Sequence, residues 1–175
     1  MPDLSWSAIL IEGLVLSSAL TLVIVGSLAY NPRIWRQDAP PRARALVPPL
    51  APAERRARIV VAVLVFLTIA LVTIWSATGL VARHGPAVSY MTAFSHFAGV
   101  FMMFNLIDLV VIDWLVLLVL RPRYLKQFTV PGLSYEESVG SYRYHFLGFL
   151  KGFGFVAAMS AIAATAVFVL RRAIA

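Results

Sequence analysis

Four long apolar runs decide what this chain can fold into. They extend approximately over residues 7–30, 58–82, 93–120 and 146–170. Each exceeds the ~20 residues that a helix needs to cross ~30 Å of hydrocarbon at ~1.5 Å per residue. The chain is 61% hydrophobic with a mean hydropathy of +0.85, above the ~45–50% apolar usage of soluble domains. The connections between the runs are short, so residues 1–175 form a single transmembrane domain with no room for a separate soluble one. The expectation is an all-α polytopic membrane protein, a four-transmembrane-helix bundle with both termini outside.

Charge placement sets that orientation. The chain has 15 Lys and Arg against 8 Asp and Glu, a formal net charge of +7. The segment 31–57 holds Arg33, Arg36, Arg42, Arg44, Arg55 and Arg56, with Arg58 at the start of the next run. The segment 121–143 holds Arg121, Arg123, Lys126 and Arg143. The other side carries Arg83, and Arg171 and Arg172, which run against the pattern. The positive-inside rule therefore makes 31–57 and 121–143 the cytoplasmic loops. Basic residues used in this way, without a recognition motif or a soluble basic face, exclude nucleic acid as a partner. The predominance of Arg over Lys, with abundant Ala and Val, points to a GC-rich bacterial genome and hence the bacterial inner (cytoplasmic) membrane. Cysteine is absent, which rules out disulfides, thiolate metal sites and cysteine nucleophiles. Ser27-Leu28-Ala29 resembles a signal-peptide cleavage site. However, no Lys or Arg precedes Arg33, Asp3 is acidic, and the first run is longer than a signal core of ~7–15 residues, so a retained helix is expected.

The loops carry their own signals. In the first, Asn31-Pro32 ends helix one, and Pro40, Pro41, Pro48, Pro49 and Pro52 are expected to block further helix or sheet. Trp35 between Arg33 and Arg36 fits an interfacial anchor, its ring at headgroup level and the guanidinium groups on anionic headgroups. In the second, Tyr124, Phe128, Tyr135, Tyr142 and Tyr144 are spaced like an aromatic belt, and Ser134 followed by Glu136 and Glu137 can open a short surface helix.

The third run is the place to look for function, because it holds Asn105, Asp108 and Asp113. A charge at the bilayer centre costs roughly 2.5–3.5 kcal/mol on insertion scales, so each acid needs a partner, a proton or water. Asp113 and Lys151 both lie roughly 10 Å inside the cytoplasmic boundary, on helices of opposite direction, and are expected to pair unless Lys151 snorkels to the headgroups. Asp108 sits near the midplane, three residues from Asn105 on the same face. The two either share a hydrogen bond as interhelical glue or serve a proton or cation path. Glu12 and His96 have comparable depth near the outer boundary and can pair. Small-residue steps, Gly148 to Gly152 on helix four and Gly13 to Ser17 on helix one, mark helix packing within the bundle or self-association. Helix two has no charge along its core and is expected to face lipid over much of its surface.

Catalysis finds no support: the chain has no nucleophile elbow and no phosphate-binding glycine loop. Asp108 and Asp113 are five positions apart, about 140° around an α-helix, so both are not expected to enter one pocket. No zinc-ligand spacing occurs, and no motif implies a cofactor.

Three segments together carry a resemblance: NPRIWRQD (31–38), NLIDLVVIDWL (105–115) and YHFLGFLKG (144–152). The chain resembles a family of small bacterial four-span integral membrane proteins for which no activity is established. The resemblance implies a four-helix membrane fold in the inner membrane and carries over no catalytic residue. The expected function is a non-catalytic scaffold or accessory subunit of a larger membrane complex. The alternative is an oligomeric proton- or cation-coupled transporter or channel that uses Asp108 and Asp113.

Overall fold

A computed structural model describes residues 4–85 and 88–174. Asp3 lies outside the described residues, as does the side chain of Arg172. The elements are α1 (Trp6–Tyr30), a 3-10 segment (Pro32–Asp38), α2 (Pro41–Leu46), α3 (Pro52–His84), α4 (Tyr90–Ile107) with a π-helical continuation (Asp108–Leu120), a second 3-10 segment (Arg123–Phe128), α5 (Tyr135–Val139) and α6 (Tyr142–Ile174). Among the described residues there is no strand, and four helices are long and apolar enough to cross a membrane.

Local chemistry fixes where the helices start. Ser5 caps α1 by accepting from the Ala8 amide, and Ser89 caps α4 by accepting from Thr92 at 3.0 Å. Pro52 opens α3, and the Glu54 carboxylate reaches back to the Ala51 amide at 2.8 Å. That start lies several residues ahead of the apolar run, so the charged first turns of α3 are helical too. Ser134 and Glu137 cap each other's backbone at α5, the short surface helix expected there. The prolines of the first loop act differently from expectation. Pro32 and Pro41 stand in the first turns of helical segments, where the missing amide has no intrahelical partner to lose, so they start helices rather than prevent them.

Helix α4 is the hub, packed against α1 and α6, while α3 leans mainly on α1. The shared core includes Leu16, Leu20, Leu80, Phe97, Val100 and Phe101, all almost fully buried. Gly13 lets α1 approach α4: a Cβ there would lie 2.8 Å from the Met103 Cβ. Outward faces are apolar. On α3, Ile59, Val63, Phe66, Leu67 and Ile74 are all exposed, the face expected to meet lipid.

Candidate functional site

The site begins with how the third apolar run is wound. From Asp108 to Leu120 the helix widens into i→i+5 bonding, and its end is closed in the same pattern by the Arg121 amide on the Val116 carbonyl at 3.1 Å. The β-branched run Val110-Val111-Ile112 crowds a normal α-turn, and a wider turn relieves that crowding. In a π-helix, residues five apart stack on one face. Asp108 and Asp113 therefore line the same cavity, which corrects the 140° separation drawn from α-helical geometry.

The cavity has a volume of ≈ 550 Å³ and lies at the end of the bundle that carries the Arg-rich loops. Its polar residues come from three elements: Asp38 from the first 3-10 segment, Asn105, Asp108 and Asp113 from the α4 rod, and His145 and Lys151 from α6. Ile24, Leu28, Leu109 and Ile112 supply apolar wall. Asp113 Oδ1 lies 3.0 Å from His145 Nδ1. Asp113 thus takes His145 as its partner, not Lys151. The reason is position: His145 lies nearer the start of α6 and is buried, whereas Lys151 is exposed at the cavity rim and makes no ion pair among the described residues.

Gly140 is what allows the His145 ring to sit there. Its φ is +108°, and a Cβ would fall 2.8 Å from His145 Nε2 and 2.6 Å from the Tyr144 ring. Among the described residues His145 Nε2 has no hydrogen-bond partner. Asp108 does not share a hydrogen bond with Asn105. Asn105 instead donates to the Phe149 carbonyl at 3.1 Å, and its side chain fills the space over Gly152, where a Cβ would lie 2.1 Å from Oδ1. Asn105 and Gly152 are thus an α4–α6 joint, while Asp108 accepts no hydrogen bond among the described residues. Gly148 has open space where a Cβ would be and lies on the cavity rim rather than in a helix contact.

The first loop forms the floor. Trp35 lines the cavity and donates Nε1–H to Ser27 Oγ at 2.9 Å, so it is packed into the bundle rather than lying as a surface anchor. Arg36 donates to the carbonyls of Pro48, Arg44 and Val47, folding the proline-rich loop around itself. Arg33 pairs with Glu54 at 3.2 Å. Both guanidinium groups thus make contacts within the protein while staying partly exposed. The Tyr144 hydroxyl donates to the Asp38 carbonyl at 2.9 Å and ties the floor to α6. Asp38 is exposed as a residue, but the protein packed around its carboxyl strips part of its hydration, and with the charge of Asp113 this pushes the carboxyl up to about 6 against the opposing pull of Arg44 and Arg58.

A second polar cluster lies toward the other end. Glu12 is buried, and its Oε2 accepts from Ser76 Oγ and lies 2.8 Å from His96 Nε2. Arg83 Nη2 meets Glu12 Oε1 at 3.1 Å. The expected Glu12–His96 contact is present, and α3 adds Ser76 and Arg83 to it. Serine, histidine and glutamate here lack the relay of a hydrolase triad: hydroxyl and carboxylate meet the same imidazole nitrogen, and the hydroxyl donates to the carboxylate. The cluster joins α1, α3 and α4 with its charge matched by Arg83.

Along the helices, a layer of Leu16, Leu20, Ile69, Phe97, Val100 and Phe101 separates the two clusters. Reasoning from the sequence missed Asp38, His145, Ser76 and Arg83 as members. The signal for His145 and Asp38 was their place in the NPRIWRQD and YHFLGFLKG segments beside the acidic run, and for Ser76 its polar character on an apolar helix at the depth of Glu12. No group of three or more His, Asp or Glu among the described residues is arranged to hold a metal ion. No protein-family model, curated protein or solved structure matches the chain.

Proposed function

We propose that the chain is a multi-pass membrane protein of the bacterial inner membrane that binds a cation in the cavity between its helices. The carrying observation is that Asp38, Asp108 and Asp113 line one ≈ 550 Å³ space, with Lys151 and His145 as its basic lining residues, without being grouped as ligands of one metal ion among the described residues. Asp113 is held by His145 and Asp38 has Arg44 and Arg58 nearby, whereas Asp108 has no hydrogen-bond or ion-pair partner among the described residues. Intramembrane acids without partners mark ion and proton sites, and a cavity of this size lies within the ~300–1,000 Å³ of small-ligand sites. The apolar layer toward Glu12 and His96 makes the site one-sided, a binding pocket rather than an open pore. This favours the cation-coupled reading over a scaffold role, because the apolar face of α3 needs only lipid to cover it. With the Arg-rich loops in the cytoplasm, the pocket would open on the cytoplasmic half.

The test uses purified full-length protein in neutral detergent and in proteoliposomes. Thermal unfolding is followed with Na⁺, K⁺ and ethylammonium, and proton and cation flux is followed in the vesicles. At least one cation is expected to raise the unfolding temperature of the wild type and not that of Asp108→Asn. Absence of both cation-dependent stabilisation and flux overturns the reading.

A further inference from the structure

The cavity is not closed on all sides. Its most exposed wall residues are Gln37 and Asp38 on the loop and Leu147, Gly148 and Lys151 on the first turns of α6. Leu147 is 46% exposed, and nothing lies within 4 Å of where a Gly148 Cβ would be. Val65 of α3 also lines the cavity, and α3 packs mainly on α1 and only weakly on α6. The opening therefore runs sideways between α3 and α6. It begins at the loop and descends a few residues into the apolar part of α6. In a bilayer that is the depth of the headgroups and the upper acyl chains.

The chemistry is graded along this opening. Among the described residues Lys151 stands at the rim with no ion-pair partner, and Asp108 lies inside with none. His145, 7% exposed, also lines the cavity, its Nδ1 held by Asp113 and its Nε2 without a hydrogen-bond partner among the described residues. A simple cation would satisfy the carboxylates and leave Lys151 unused. A simple anion would meet Lys151 and be repelled by the acids. A zwitterion with a leading amine and a trailing phosphate fits both. A space of ≈ 550 Å³ holds a headgroup but not two acyl chains, and the sideways opening lets those chains remain outside.

We infer that the occupant of the cavity is the headgroup of a zwitterionic amine phospholipid, its ammonium toward Asp108 and Asp38 and its phosphate on Lys151, taken directly from the bilayer through the opening between α3 and α6. This rests on the cation-binding reading and names the class of cation.

Full-length protein in neutral detergent is titrated calorimetrically with four probes: dihexanoyl phosphatidylethanolamine, dihexanoyl phosphatidylglycerol, free phosphoethanolamine and dodecylamine. The ethanolamine lipid is expected to bind saturably, with the glycerol lipid and the tail-less headgroup each weaker by about tenfold or more, the scale of one lost charge-assisted contact or of the tails' apolar burial. Asp108→Asn should weaken both the ethanolamine lipid and dodecylamine. Lys151→Gln, at an exposed position where folding is not at stake, should weaken the lipid by about tenfold and leave dodecylamine unchanged, because only the lipid carries a phosphate. Equal binding of the glycerol lipid, or indifference of the ethanolamine lipid to Lys151→Gln, overturns the inference. If dodecylamine binds through Asp108 while the lipid does no better, the headgroup assignment falls and the cation site stands. If neither binds, the headgroup assignment falls, and the cation reading is then decided by the ethylammonium and inorganic-cation measurements.

Discussion

At the residue scale, the two polar clusters solve one problem in opposite ways. Glu12 has a hydroxyl, an imidazole and a guanidinium around it, so its charge is answered within the protein. A buried carboxylate matched in this way costs little and locks three helices together. Asp113 has His145, and Asp38 has Gln37 with Arg44 and Arg58 nearby, but Asp108 has no hydrogen-bond or ion-pair partner among the described residues, and an unanswered acid is what a ligand can use. Asp38 offers the most direct readout. Its carboxyl is raised from 3.8 to about 6 because partial loss of hydration and the charge of Asp113 outweigh Arg44, Gln37 and Arg58. A raised acid binds its proton more tightly in the folded state than in the unfolded one, so folding stability falls as pH rises through the window from about 4 to 6. Asp38→Asn should remove that slope and leave a flatter profile of unfolding temperature over this range. An unchanged slope in the variant would assign the pH dependence elsewhere.

At the element scale, the winding of the third span decides the site. Had Asp108–Leu120 continued as α-helix, Asp113 would have pointed about 140° away from Asp108. The i→i+5 winding brings both into one space and presents Asp113 to His145. On the other side of that pair, the α5–α6 joint depends on Gly140. Its φ of +108° is costly for any L side chain, and a Cβ would strike both Tyr144 and His145. Gly140→Ala is expected to destabilise the protein by about 2–3 kcal/mol, the scale of backbone strain combined with a steric clash. The measurement is chemical or thermal unfolding in detergent. Alanine at Gly148, where space is open, serves as the control and should be close to neutral.

At the scale of the whole molecule, four apolar helices around α4 place the two polar clusters toward opposite ends with a dry layer between them. The orientation expected from the loops is testable because the chain has no cysteine of its own. Single cysteines at the exposed positions Ala45 and Met91 should react oppositely with a membrane-impermeant maleimide. In intact cells Met91→Cys is expected to label and Ala45→Cys only after the membrane is opened. The reverse pattern would invert the bundle and turn the cavity outward.

The apolar runs determined by themselves that this chain is all-helical with four long apolar helices, because a stretch that long and that apolar has few other ways to satisfy its backbone. The short helix after Ser134 and the Glu12–His96 contact were also within reach, since caps are local and depth follows from counting residues along a helix. The partner of Asp113, the seat of Trp35 and the convergence of the three acids were not. Each depends on rotation about a helix axis or on how a loop folds back, and both are set by contacts between elements. One change of winding, invisible to a count that assumes 3.6 residues per turn, separates two scattered acids from a site.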